Sequence, residues 1–76
     1  MSDSLVGRVF RKAGPCGWLR AEDENFGEGN GIKGVSIRFR NMGGGWQKLR
    51  YFVPCTNPDD FLTWTSATNR YEEEAR

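Results

Sequence analysis

The stretch from Gly34 to Pro54 constrains the fold more than any other part of the chain. Two runs that alternate apolar and polar residues, GVSIRFRN and WQKLRYFV, flank a turn rich in glycine. A period of two places successive side chains on opposite faces of a strand, so this spacing predicts a β-hairpin with one face turned inward. Val35, Ile37 and Phe39 on the first strand, and Leu49, Tyr51 and Val53 on the second, are the expected core face. The outward face then carries Arg38 and Arg40 beside Trp46, Lys48, Arg50 and Phe52. Upstream, Leu5 to Lys12 and Gly17 to Ala21 read as two shorter strands. They are joined around Ala13-Gly14-Pro15, because Gly-Pro interrupts regular structure and returns the chain. The segment ENFGEGNGIKG between these pairs reads as a long surface loop.

After Pro54 the pattern changes. Asn57 is a capping residue, Pro58 suits the first helical position, and Asp59 and Asp60 favour the positive end of a helix. Phe61, Trp64, Thr68 and Tyr71 then recur three and four apart, as one stripe able to lie across a sheet. Arg70 with Glu74, and Glu72 with Arg76, have the spacing of helical ion pairs. Thr63, Thr65, Ser66, Thr68 and Asn69 are mediocre helix formers, so this helix needs its packing and is expected to fray or bend near Asn69. The expected fold is α+β, a single domain over residues 1–76: a small antiparallel sheet of three to four strands with one C-terminal helix packed on it.

Size and residue types then narrow the chemistry. A chain of 76 residues buries only about 60% of the surface its extended form exposes, so a deep substrate cavity is hard to hold open. The chain contains no histidine, which removes the commonest general base, the usual partner of a Ser or Cys nucleophile, and a major zinc ligand. Cys16 and Cys55 are too far apart for a redox pair and too few for a zinc site, and read as small buried apolar side chains. Residues 29–34 match G-x-G-x-x-G but lead into a strand rather than a helix, so the match has no phosphate-binding context. Asp23 and Asn25, with Glu22, Glu24 and Glu28, lack the turn glycine and closing glutamate of a calcium loop. The expectation is a non-enzymatic protein without metal or cofactor. No apolar run is long enough to span a bilayer, and MSDSLVGRVF lacks the apolar centre of a secretion signal, so the expected partner is not a membrane and the expected location is the cytoplasm.

Net charge is +1, but the charges come in blocks. Residues 21–30 hold Glu22, Asp23, Glu24 and Glu28 without a base, and residues 31–50 hold Lys33, Arg38, Arg40, Lys48 and Arg50 without an acid. Acids return as Asp59, Asp60, Glu72, Glu73 and Glu74. The hairpin's mixture of bases and rings suits two kinds of partner. Phosphates and unpaired bases are held by such faces in single-strand binders, and Trp and Arg are also the commonest anchors of protein interfaces.

Two resemblances bear on this choice. IRFRNMGGGWQKLRYFVP followed by NPDDFLTWTSATNRY resembles the strand, glycine turn, strand and helix of the small KTSC domains, which implies topology alone. The whole chain, small and histidine-free, with Gly-rich turns, clustered charge and the acid-capped DDFLTW, is similar in style to phage-encoded anti-CRISPR inhibitors. That likeness implies a host-cell cytoplasmic protein that binds a protein or ribonucleoprotein complex, a CRISPR effector, and blocks its access to target DNA or nuclease. On this reading Asp59, Asp60, Glu72, Glu73 and Glu74, or the acids of residues 22–28, meet the bases of a nucleic-acid channel. Arg38, Arg40, Trp46, Lys48 and Arg50 supply a second contact. The alternative is direct binding of nucleic acid by the basic, aromatic hairpin face.

Overall fold

The computed structural model describes residues 4–12, 17–27, 29 and 31–74. Ala13-Gly14-Pro15, Cys16, Glu28 and the Arg76 end of a proposed ion pair lie outside the described residues, as does Asn30 within the glycine motif. The described strands are β1 (Val9–Lys12), β2 (Gly17–Asn25), β3 (Gly34–Asn41), β4 (Tyr51–Pro54) and β5 (Tyr71–Glu73). They form one antiparallel sheet in the order β4-β3-β2-β1-β5. Helix α1 (Pro58–Thr63) runs directly into a π-helical turn, Trp64–Thr68. The fold is α+β, with five strands rather than three to four.

The core gathers on one face of this sheet. Phe10, Leu19, Ala21, Val35, Ile37 and Val53 are buried there beneath Leu5 and Phe61. Each fully buried aliphatic or aromatic side chain of this kind contributes about 1.5–3 kcal/mol. Phe61 meets Phe10 edge to face with ring centroids 5.8 Å apart, and Trp64 stacks on Phe61 at 5.8 Å, so the helical segment is held on the core face by its rings. Leu5 reaches the same core through a turn at Gly7, whose φ of +89° is one that glycine adopts without a Cβ penalty. Gly7 N–H donates to the Ala21 carbonyl at 2.8 Å.

The start of α1 follows from its local residues. The Asn57 side chain accepts from Asp60 N–H at 2.8 Å, Pro58 occupies the first turn, and the Asp60 carboxylate reaches back to Thr56 N–H and Oγ1 at 3.2 and 2.8 Å. This is reciprocal capping of the kind that satisfies orphan N–H donors.

The end of the helix departs from expectation. The Thr65 and Ser66 hydroxyls both donate to the Leu62 carbonyl, at 2.9 and 2.8 Å, and Asn69 N–H reaches back five residues to Trp64 O at 3.2 Å. Hydroxyl donors compete with backbone amides for helix carbonyls, and here the last turn widens. Thr65 rather than Thr68 is therefore the buried residue of this turn. Arg70 then takes a left-handed conformation, φ +58°, and the chain leaves the helix. Tyr71, Glu72 and Glu73 are thus not helical. They pair as β5 with β1, in the register Phe10↔Glu73, Arg11↔Glu72 and Lys12↔Tyr71, so Arg70 and Glu74 do not share a helix, and the expected Glu72–Arg76 pair falls partly outside the described residues. The Arg8 guanidinium holds Glu73 through two hydrogen bonds of 2.5 Å, and β5 covers an edge of β1 that would otherwise be open.

The hairpin is shorter on its second strand than the alternation predicts. β3 has the expected bounds and inward residues, but β4 begins only at Tyr51. Trp46 touches the ladder through a single bridge to Arg40, and residues 48–50 leave it. Leu49 and Tyr51 are consequently exposed, and only Val53 of the expected trio is buried. β2, expected to stop at Ala21, continues to Asn25 through a β-bulge at Glu22.

Candidate functional site: the outer sheet face

With α1 on the core face, the opposite face of the sheet carries no described helix. Cross-strand pairing builds a row along it. Arg11 of β1 stands opposite Glu72 of β5 on one side and Trp18 of β2 on the other. Trp18 stands opposite Arg40 of β3, and Arg40 is bridged to Trp46. The row therefore reads Glu72, Arg11, Trp18, Arg40, Trp46, with base and ring alternating from Arg11 to Trp46 across β1, β2, β3 and the turn that follows. The guanidinium carbons of Arg11 and Arg40 lie 6.0 and 5.2 Å from the Trp18 ring centroid. In the adjacent row Arg20 pairs with Arg38, and Arg20 lies 4.4 Å from the Trp46 centroid. Planar guanidinium groups are attracted to indole faces by the ring quadrupole, and this leaves their N–H edges available to anions.

Two side-chain hydrogen bonds set the ends of the row. Arg40 Nε donates to the Gly44 carbonyl at 2.8 Å, which draws the 42–46 turn over the face and brings Trp46 to it. Trp18 Nε1 donates to Glu74 at 2.9 Å. In the centre, Glu22 is bonded by Arg20 Nε and lies 3.3 Å from Arg38 Nε. The Arg20 hydrogen bond, with the positive charge of Arg20, Arg38 and Arg50, holds the Glu22 carboxyl below the usual carboxylate range, against the opposing effect of its burial.

The residues expected to bind a partner are thus divided. Arg38, Arg40 and Trp46 are half-buried members of the face, and Lys48 and Arg50 are exposed beside it. Glu72 closes the row at the β5 end, Glu74 is engaged by Trp18, and Glu73 lies on the core side against Arg8. Asp59 and Asp60 sit in the first turn of α1, which packs on the other side of the sheet. Asp60 is held below the usual carboxylate range by its hydrogen bonds from Thr56. Phe52 stands opposite Ser36 at the edge of the face and is 46% exposed.

Arg11, Trp18 and Arg20 are the members of the face that sequence reasoning missed, and Glu22, expected among the acids that meet a partner, lies instead between Arg20 and Arg38 of this face. The signal was present in Trp18 and Arg20, which alternate with Leu19 and Ala21 as Arg38 and Arg40 alternate with Ile37 and Phe39. The clefts among the described residues include two beyond the row. One of about 310 Å³ is lined by Phe10, Leu62, Tyr71 and the already bonded Thr65 and Ser66 hydroxyls. The other, of about 160 Å³, lies near Asn25 and Phe52. Cys55 is half-buried and free, and burial pushes its thiol up, with a smaller contribution from Asp60. Among the described residues no helix is long and apolar enough to cross a membrane, and no cluster of His, Cys, Asp or Glu has the arrangement of a metal site. No protein-family pattern, curated protein or solved structure matches the chain.

Proposed function

We propose that this protein is a non-catalytic binding module that takes single-stranded nucleic acid on its outer sheet face. The observation that carries the reading is the row Arg11, Trp18, Arg40 and Trp46, four side chains from separate segments alternating across a sheet face that no described helix covers. Sheets of this kind hold a strand by phosphate contacts from the bases and by stacking on rings, without reading much sequence. Asp60, Glu73 and Glu74 are engaged by Thr56, Arg8 and Trp18. A contact led by these acids would have to break those bonds first; on the basic side the bonds in place are Arg40 Nε to Gly44 and Arg20 Nε to Glu22, and a guanidinium group carries five N–H donors in all.

The test is a binding titration with a short oligothymidylate and with a duplex of equal length, across a salt series. The single strand is expected to bind more tightly. With three to four phosphates neutralised, log K against log salt should have a slope of roughly −2 to −3, since each contributes about −0.7 for single strands. Trp18→Ala should weaken binding by about 1–3 kcal/mol, the usual value of one base stacked on a ring. Equal, salt-insensitive retention of both nucleic acids, or of neither, sinks the reading.

A second reading is favoured by one observation. Met42, Leu49 and Tyr51 are large apolar side chains left 66%, 61% and 45% exposed beside Lys48 and Arg50, a mixture typical of protein interfaces. On that reading the chain is an inhibitor of the anti-CRISPR type that docks on an effector complex through the 42–51 segment. Capture of a defined protein complex from nuclease-treated bacterial lysate, abolished by Leu49→Asp, is its expected result. Retention of nothing after nuclease removes it.

A further inference from the structure

The β-bulge of β2 places a carboxylate where a phosphate contact would be made. The register passes from Ala21↔Ile37 to Asp23↔Ser36, so Glu22 is an extra residue with no cross-strand partner. Bulges re-aim side chains, and this one directs Glu22 between Arg20 and Arg38, where its side chain is only 13% exposed. Arg20 makes a hydrogen bond to one carboxylate oxygen. Arg38 Nε lies 3.3 Å from the other, yet its direction does not complete a hydrogen bond, and this buried nitrogen has no other acceptor among the described residues. Arg50 adds its charge from the segment before β4. Guanidinium groups of two strands, with the charge of Arg50 added, therefore flank one acid in the middle of a face dominated by bases and rings. A carboxylate and a phosphodiester offer guanidinium the same pair of oxygen acceptors, and the phosphodiester fits at least as well.

We propose that Glu22 occupies, in the free protein, the slot in which Arg20 and Arg38 receive a phosphodiester, and so acts as an internal competitor that holds down the affinity of the face for nucleic acid. The inference rests on the nucleic-acid reading above. The incompletely bonded Arg38 Nε is the donor the incoming phosphate engages, and Glu22 is released toward solvent as it does so. The face then stays closed to weak anions and opens only to a strand that also stacks on its rings.

The experiment compares wild type, Glu22→Gln and Glu72→Gln for binding of a short oligothymidylate across a salt series, with thermal melts to confirm folding. Glu22→Gln and Glu72→Gln change net charge equally and both lie on this face, but only Glu22 contacts Arg20 and Arg38. Glu22→Gln is expected to bind roughly three- to fivefold more tightly than Glu72→Gln, the gain available when a partly exposed ion pair no longer competes. Glu22→Asp, which keeps the charge but shortens its reach, is expected between wild type and Glu22→Gln and serves if the glutamine variant does not fold. Equal gains in Glu22→Gln and Glu72→Gln reduce the effect to net charge and overturn the inference. Weaker binding by Glu22→Gln also overturns it and makes Glu22 a positioning residue, while the nucleic-acid reading stands. Absence of binding by every variant overturns both. Binding by Glu22→Gln but not by wild type supports the competitor and overturns only the reading that the free protein is ready to bind.

Discussion

Arg20 lies with its guanidinium carbon 4.4 Å from the centre of the Trp46 ring, although the two belong to segments separated by the whole of β3. That contact joins the 42–50 segment to the middle of the sheet, where the ladder between β3 and β4 no longer reaches. A cation over an indole contributes about 0.5–1 kcal/mol at an exposed site and about 2 when desolvated. For this half-buried pair a double-mutant cycle of Arg20→Ala and Trp46→Phe in urea is expected to give a coupling of about 1 kcal/mol. Additive losses would mean that Trp46 is held by the Arg40 bridge alone.

At Gly34 the fold admits only glycine. A Cβ there would lie 2.6 Å from Phe52 Cζ and closer still to the Val53 carbonyl oxygen. The oxygen belongs to the neighbouring strand and cannot move without breaking the β3–β4 ladder. Gly34→Ala is expected to cost about 1–3 kcal/mol, as overpacking does, and to lower the urea midpoint with an unchanged denaturant slope. A midpoint equal to wild type would contradict the close approach.

Arg70 offers the opposite opportunity. Its φ of +58° is costly for a residue with a Cβ, by about 1–2 kcal/mol, and glycine removes that cost while adding entropy to the unfolded chain. Arg70→Gly is expected to stabilise the protein by about 0.5–1 kcal/mol, a rise in melting temperature of roughly 4 °C for a domain of this size. A lower melting temperature would show that the arginine side chain contributes more than its backbone loses.

Acid should loosen the outer face first at Glu22. Its folded pKa is depressed, chiefly by the Arg20 hydrogen bond. The stability it contributes is therefore fully present above the ordinary glutamate range and is lost as pH falls through the folded value. Urea melts followed downward from neutral pH are expected to show a shallower decline in Glu22→Gln than in wild type below about pH 4.3, the unperturbed glutamate value. Parallel curves would place the acid sensitivity elsewhere, for instance at Asp60, whose depressed pKa acts in the same direction.

Elements whose determinants lie within a few residues were legible in the sequence. The inward set of β3, Val35, Ile37 and Phe39, follows from alternation alone. The start of α1 follows from Asn57, Pro58, Asp59 and Asp60, because a cap is completed inside one turn. The end of that helix was not legible beyond a tendency to bend near Asn69. The string of residues from Arg70 to Glu74 satisfies helical spacing, yet β1 offers it a free edge, and Arg8 and Trp18 offer it partners.

The same distinction divides the candidate site. Arg38, Arg40 and Trp46 could be placed on one face from their own hairpin, but Arg11, Trp18 and Glu22 could not. Their positions depend on the register of β1 and β3 against β2 and on one inserted residue that reverses which way β2 points. Past the bulge Glu24 stands opposite the inward Val35 and accepts Leu5 N–H at 2.7 Å, where unbroken alternation from Ala21 would have turned it outward. Preferences for strand, cap and turn could be read along the chain because they are local. Which strands lie side by side, and hence that two tryptophans and four arginines share one surface, was settled in three dimensions, because cross-strand register is set by contacts among segments far apart in the chain.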